Sequence, residues 1–209
     1  MYLSKLSLDI ANPSARQAIS NCNDMHRNLM RAFDVENGTA SPRMECSVLY
    51  RLERKARGFE LLVMSRDAPD WRRLARCGYA ADGVKDVSAL KAALVRGKVL
   101  RFALTASPTK KIASGGKNSR RVFLRTEEER AAWLERQGEK YGFSLEAVRE
   151  TALPSDVSGT KGTSAIRYRA ACFDGLLTIT DEALFWKGYT EGIGAGKSYG
   201  LGLLSIANR

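Results

Sequence analysis

The sequence predicts an α+β protein built from two tandem βαββαβ units, each in the ferredoxin-like (RRM-like) order. Three observations carry that expectation. The N-terminus alternates apolar and polar residues as a half-buried strand does. Two helix-start signals, Asn12-Pro13 and the pair Thr126 and Glu129, stand far apart in the chain. Strand-like runs flank both signals in the same rhythm.

Taken in order, residues 2–10 put Leu6, Leu8 and Ile10 on one face and Ser7 and Asp9 on the other, the pattern of a strand. Asn12 then caps a helix with Pro13 in its first turn. Ala15, Ile19, Cys22, Leu29 and Phe33 recur at steps of three and four, which predicts one helix to about Phe33. Val48, Tyr50 and Leu52 alternate again, and Phe59–Ser65 follows after a short turn, so this part reads as a hairpin. Ser88–Val95 reads as a short helix. Val99–Thr105 reads as a strand that either closes the first unit or opens the second. The division is drawn after it, giving a first domain over 1–106, a basic linker loop over 107–120 and a second domain over 121–209.

In the second domain, Thr126 and Glu129 form a capping box that opens a helix through Ala132, Trp133 and Gln137. Leu145–Leu153 and Thr163–Phe173 read as strands joined by a loop over 154–162. Asp174-Gly175 signals a tight turn before a strand at Leu176–Thr180. Asp181 can cap a helix through Leu184, Phe185 and Tyr189, and a glycine-rich segment leads to a last strand at Leu201–Ala207.

Composition narrows the function. With 209 residues, 44% of them hydrophobic, the chain can bury a sizeable core. No stretch approaches the roughly 18–20 apolar residues of a membrane span, and an N-terminus carrying Asp9 does not resemble a signal peptide. A cytoplasmic address without membrane contact is expected. Cys22, Cys46, Cys77 and Cys172 include no CxxC pair, and the chain has one histidine. Free thiols are therefore expected, with no zinc site and no cofactor. The net charge of +11 favours a polyanionic partner, because each phosphate contact releases counterions. Arg101, Lys110, Lys111, Lys117, Arg120, Arg121 and Arg125 lie in one stretch that contains no acidic residue.

His26 is the single histidine, so any imidazole chemistry must use it. Its helical neighbours at three and four residues are Cys22, Asn23, Leu29 and Met30, which puts it beside the apolar stripe. An imidazole titrates near neutral pH and suits proton transfer. Arg27 and Arg31 are near in sequence and able to hold a phosphate. A packing role for His26 fits the same spacing. The segment Gly192–Gly202 has the spacing GxGxxxxxGxG, so its N–H groups can face an anion. Gly196-Lys197-Ser198 imitates the end of a P-loop, but Glu191 stands where that motif needs glycine, and the segment enters a strand rather than a helix. ATP binding is excluded on both grounds.

The chain resembles the CasE-type CRISPR-associated endoribonucleases, the repeat-processing subunit of the type I-E Cascade complex. The matching segments are Met1–Leu6, Met25–Phe33, Val48–Glu53, Pro69–Trp71, Arg101–Pro108, Trp133–Arg136, Gly142-Phe143 and the glycine-rich C-terminal segment. They run in order over nearly the whole length, and the glycine pattern is the most specific of them. The resemblance implies tandem ferredoxin-like domains, RNA along a basic face and a reaction that needs no metal. In it the RNA's 2′-OH attacks the adjacent phosphate, leaving a 2′,3′-cyclic phosphate and a 5′-OH.

By the same resemblance His26 falls on the catalytic histidine. Where some members carry tyrosine three residues earlier, this chain has Asn23, whose amide can orient a phosphate or 2′-OH but cannot ionise. Lys161 matches a basic hairpin and would stabilise charge on the phosphorane. Candidate RNA contacts are Arg27, Arg31, Lys110, Lys111, Lys117, Arg120, Arg121, Arg167, Arg169, Gly194, Gly196, Lys197, Ser198 and Tyr199. The implied partners are the CRISPR repeat hairpin, the mature crRNA and the other Cascade subunits. Two further readings remain at this point. One is an RRM-like hairpin-RNA binder without catalysis, although no RNP1-like strand is present. The other is a scaffold whose basic face meets an acidic partner.

Overall fold

A computed structural model describes residues 1–33, 47–56, 58–113 and 119–209, with the side chains of 113, 119, 120, 153 and 154 left out. Two four-stranded antiparallel sheets organise the molecule. In the first, β1 (Tyr2–Leu8) pairs on one side with β3 (Gly58–Ser65) and on the other with β4 (Tyr79–Asp86), while β2 (Leu49–Lys55) flanks β3. The order β2-β3-β1-β4 is that of a ferredoxin-like unit.

The single helix expected up to Phe33 is two helices, α1 (Pro13–Ser20) and α2 (Cys22–Met30). Asn21 breaks it. Its backbone is extended at φ −134° and ψ 106°, and its side-chain oxygen accepts from the Asn23 N–H to cap α2. Asn12 caps α1 as expected, accepting from Ser14 N–H at 2.9 Å, and Pro13 stands in the first turn. A 3₁₀ turn at Trp71–Cys77 takes the place of the unit's second helix. Leu6, Leu8, Leu29, Leu61, Val63 and Leu74 make the core between this sheet and its helical layer.

A one-turn helix, α3 (Leu90–Ala93), leads into β5 (Val99–Ala106). This strand corrects the expected domain division. β5 lies inside the second sheet, between β10 (Leu204–Asn208) and β9 (Ser164–Ile179), and the first unit is closed by β4 instead. The expected linker loop is also corrected. Thr109–Ala113 and Ser119–Phe123 pair as a ribbon, β6 and β7, inserted within the second unit. Helix α4 (Glu127–Lys140) follows, with the Thr126–Glu129 capping box formed in both directions. Then come β8 (Phe143–Lys161), β9 and α5 (Glu182–Glu191), the last capped by Asp181. The sheet order β10-β5-β9-β8 repeats the ferredoxin-like plan, so the fold is the tandem α+β one expected.

Two local expectations fail here. The 154–162 loop does not exist as such, because β8 runs on to Lys161 and turns back at Gly162-Thr163. Asp174-Gly175 is no turn either; β9 passes straight through it. Gly175 is instead where β8 comes closest, since a Cβ there would strike the Ala147 carbonyl beside a register shift.

The two units meet through Leu49 and Met64 of the first and Tyr189 and Leu203 of the second, all buried. Arg51 also donates to the Ala103 carbonyl at 3.3 Å. Among the described residues no helix is long and apolar enough to cross a membrane.

Candidate active site at the junction of the two units

Helix α2 positions His26, and the second unit supplies what surrounds it. The imidazole is half-buried and meets the Tyr199 ring edge-on, with centroids 6.3 Å apart and planes at 78°. Tyr168 of β9 also lies against Tyr199, tilted at 38° with centroids 5.8 Å apart. Burial, with the Tyr168 and Cys22 side chains nearby, pushes the Tyr199 phenol above its ordinary range, so it stays a neutral donor at physiological pH.

Glycines bring Tyr199 there. Gly196 and Gly200 both adopt left-handed backbone, at φ 77° and 85°, and bracket the 3₁₀ turn Lys197–Tyr199. A Cβ on Gly200 would come within 2.9 Å of the Tyr50 ring, so only glycine lets the segment lie this close to β2. The segment is tied at its base by Ile193 N–H to Gly202 O and by Gly202 N–H to Thr105 O.

The tip of the β8–β9 hairpin docks on the start of α2. Asn21 accepts from the Thr160 N–H and donates to the Thr160 hydroxyl, each at 3.3 Å, while the same oxygen caps α2. Gly159 makes the approach possible, since a Cβ there would run into the Asn21 amide and lie 3.0 Å from the Cys22 nitrogen and sulfur. Lys161, exposed, is the next residue after the docked Thr160. One polar side chain thus joins the helix of His26 to the strand of Lys161.

The remaining expected residues fall into three groups. Asn23 is buried in the first turn of α2, one turn before His26. Arg27 is exposed and 3.4 Å from Asp24, while Arg31 caps the opposite end of α2 and donates to the Cys77 sulfur, away from the docked tip. Arg167 and Arg169 are exposed on β9, opposite Ser158 and Asp156 of β8.

Lys110, Lys111 and Arg121 stand on the β6–β7 ribbon, with Lys111 opposite Arg121. Arg120 is on β7 opposite Ile112, and Lys117 lies outside the described residues. A cavity of about 570 Å³ brings Lys110, Arg121, Gly194 and Lys197 together with Arg136 and Lys140 of α4, and among the described residues no carboxylate lines it. Lys110 also pairs with Glu129 at 2.9 Å, which holds that carboxyl below its usual range together with the N–H groups of Arg125 and Thr126.

Sequence reasoning missed Asn21, Gly159, Tyr168, Arg136 and Lys140. Only Tyr168, an aromatic between Arg167 and Arg169, carried a readable signal. Cys22, Cys77 and Cys172 are free, and Cys46 lies outside the described residues. Among the described residues no three His, Cys, Asp or Glu side chains converge as metal ligands.

Fold and site together define a tandem ferredoxin-like protein with one imidazole at the seam between its units and basic side chains around it. Residues 1–208 match the family described as CRISPR associated protein. The CRISPR-associated endoribonuclease Cse3 of Thermus thermophilus is 36% identical over 99% of this chain and 100% of its own. The CRISPR system Cascade subunit CasE of Escherichia coli is 28% identical over 99% of both. A solved structure of CRISPR endoribonuclease Cse3 bound to a 19 nt RNA superposes with a TM-score of 0.84, at 32% identity over 99% of this chain and 100% of that one. The chain belongs to the CRISPR associated protein family, in its CasE (Cse3) branch.

Proposed function

We propose that this chain is a metal-independent endoribonuclease that cuts CRISPR precursor RNA at the base of the repeat hairpin and stays bound as a Cascade subunit. The observation that carries the reading is the seating of the lone imidazole. His26 sits where α2, the glycine segment and the tip of a basic hairpin converge. The relatives' names, an endoribonuclease and a Cascade subunit, support the same activity and assembly.

In this reading the 2′-OH loses its proton and its oxygen bonds to the adjacent phosphorus. The 5′-oxygen leaves with a proton, giving a cyclic phosphate and a 5′-OH. His26 takes or gives one of these protons, a service worth roughly 10²–10⁴-fold. Lys161, held near α2 by its docked neighbour, faces the charge that builds on the phosphorane. Asn23 shares His26's helix one turn earlier; buried and unable to ionise, it serves by orienting. Arg27, Arg167 and Arg169 hold backbone phosphates, and Arg31 does so at the margin.

The basic cavity of Lys110, Arg121, Lys197, Arg136 and Lys140 accepts the backbone of the stem, Lys111 on the same ribbon adds to it, and Lys117 and Arg120 join the RNA contacts on their charge alone. The N–H groups at Gly194, Gly196 and Ser198 add donors there, and Tyr199 orders the ring of His26. An A-form stem hides its base edges, so recognition rests mostly on shape and phosphate.

Incubating the protein and His26→Ala with a labelled repeat hairpin in EDTA tests this. Wild type cleaves and the variant binds without cleaving. Cleavage by the variant overturns the assignment of His26, and binding without cleavage by both proteins leaves an RRM-like hairpin binder.

A further inference from the structure

Behind the Tyr199 ring that meets the imidazole lies a cavity of about 310 Å³ that the reaction outlined above does not use. It opens between the α1–α2 corner and β8. Tyr50, Leu52 and Leu201 give it apolar lining, Tyr199 lines it too, and Ser155, Asp156 and Ser158 of β8 join Ser20 and Thr105 as polar lining, with Asp156 its one carboxylate among the described residues. We propose that this cavity seats one unpaired nucleobase of the RNA, that of a nucleotide flanking the cut. The proposal rests on the ribonuclease reading and deepens it.

Size comes first. Ligand pockets run from about 300 to 1,000 Å³, and this one is at the small end, with room for a single ring system. Position comes second. The ring of Tyr199 that lines the cavity is the one that meets His26, and Cys22 and Met25 of α2 line it within a turn of His26. A base placed here is one side chain away from the imidazole. Charge comes third. Asp156 and Ser158 also line an adjoining space of about 440 Å³ with Arg167 and Arg169. The nucleotide's phosphate thus has guanidinium groups beside the slot that takes its base.

Asp156 indicates which base. A carboxylate repels phosphate and can only accept hydrogen bonds, so its constructive role toward RNA is with the N–H edge of a base. Guanine offers two adjacent donors and matches both carboxylate oxygens; uracil offers one. Pulling a base out of its stack costs a few kcal/mol, least where it is already unpaired, and apolar contact with Tyr50, Leu52 and Tyr199 offsets that cost.

The test is made on the RNA, which leaves the fold untouched. Each unpaired nucleotide flanking the cut is replaced in turn by an abasic ribonucleotide and, separately, by 2-aminopurine. At one position the abasic change weakens binding about tenfold or more, and 2-aminopurine there changes fluorescence on binding. Ser155→Trp, which plugs the rim, removes that fluorescence change. Asp156→Asn shrinks the preference for guanine over uracil at the same position. Abasic changes that all leave binding and single-turnover rate within twofold overturn the proposal, as does a guanine preference equal in wild type and Asp156→Asn. Failure of the ribonuclease reading appears separately, as unmodified hairpin left uncut, and the fluorescence still reports on the slot.

Discussion

Gly159→Ala adds one methyl group where the hairpin tip rests on α2, and its effect can be worked from the geometry. Gly159 does not use left-handed backbone, so alanine costs nothing there in φ. The new carbon would overlap the Asn21 amide and lie 3.0 Å from the Cys22 nitrogen and sulfur. The Cys22 nitrogen belongs to the first turn of α2 and cannot yield. The Asn21 amide is pinned by three hydrogen bonds, to Asn23, Thr160 N–H and the Thr160 hydroxyl. The tip must therefore back away by an appreciable fraction of an ångström. Overpacking of this kind costs about 1–3 kcal/mol, and a misplacement near 1 Å can slow a reaction about 10²-fold. Single-turnover cleavage of the repeat hairpin should fall about 10- to 100-fold. Binding should change by no more than about threefold, because Arg167 and Arg169 stand further along the hairpin and keep their phosphates. A variant that cleaves within twofold of wild type would refute the claim that this contact aligns Lys161 with His26.

The remaining predictions probe charge and stability. Arg130 and Glu150 form an ion pair at 2.8 Å with both side chains less than a tenth exposed, so Glu150→Ala strands a buried cation and should cost about 3–5 kcal/mol in urea unfolding. Glu129 has a folded-state pKa lowered first by Lys110, so its contribution is present above its unfolded pKa of about 4.3 and is lost as pH falls below that. Glu129→Gln should therefore flatten part of the loss of thermal stability seen between about pH 5 and pH 3, and an unchanged acid limb counts against the contact. Replacing Arg167 and Arg169 together by alanine should reduce the salt slope of hairpin binding by about 1.4–1.8, at about 0.7–0.9 per phosphate contact. An unaltered slope would remove both from the RNA path.

Readable features of the sequence share one property, which is that neighbours in the chain decide them. The capping box at Thr126 and Glu129, the cap at Asn12 and the burial of Leu6 and Leu8 in β1 are local, and each is found as expected, whereas Ile10, expected on the same face, lies past the end of β1 and is exposed. β4 escaped notice because it is an edge strand buried only at Tyr79, so its residues carry no alternation to read. Missing it left Val99–Thr105 as the apparent fourth strand and moved the domain division. Asp174-Gly175 misled for the opposite reason. The glycine is required by the carbonyl of Ala147, a residue of another strand, and no local pattern announces that. The site shows the same split. His26 stood out because it is the single histidine, but the ring that meets it comes from residues 196–200 of the other unit, and residues 159–160 of that unit dock on the start of its helix. Asn21 looks in sequence like an ordinary residue inside a helix, yet in the fold it ends one helix, starts the next and holds Thr160. A group with three such tasks leaves no signature in sequence, because two of its partners are about 140 residues of folding away. This division has a mechanical consequence. Since neither unit alone holds both His26 and Lys161, whatever loosens the seam between the units should cost cleavage before it costs either unit its fold.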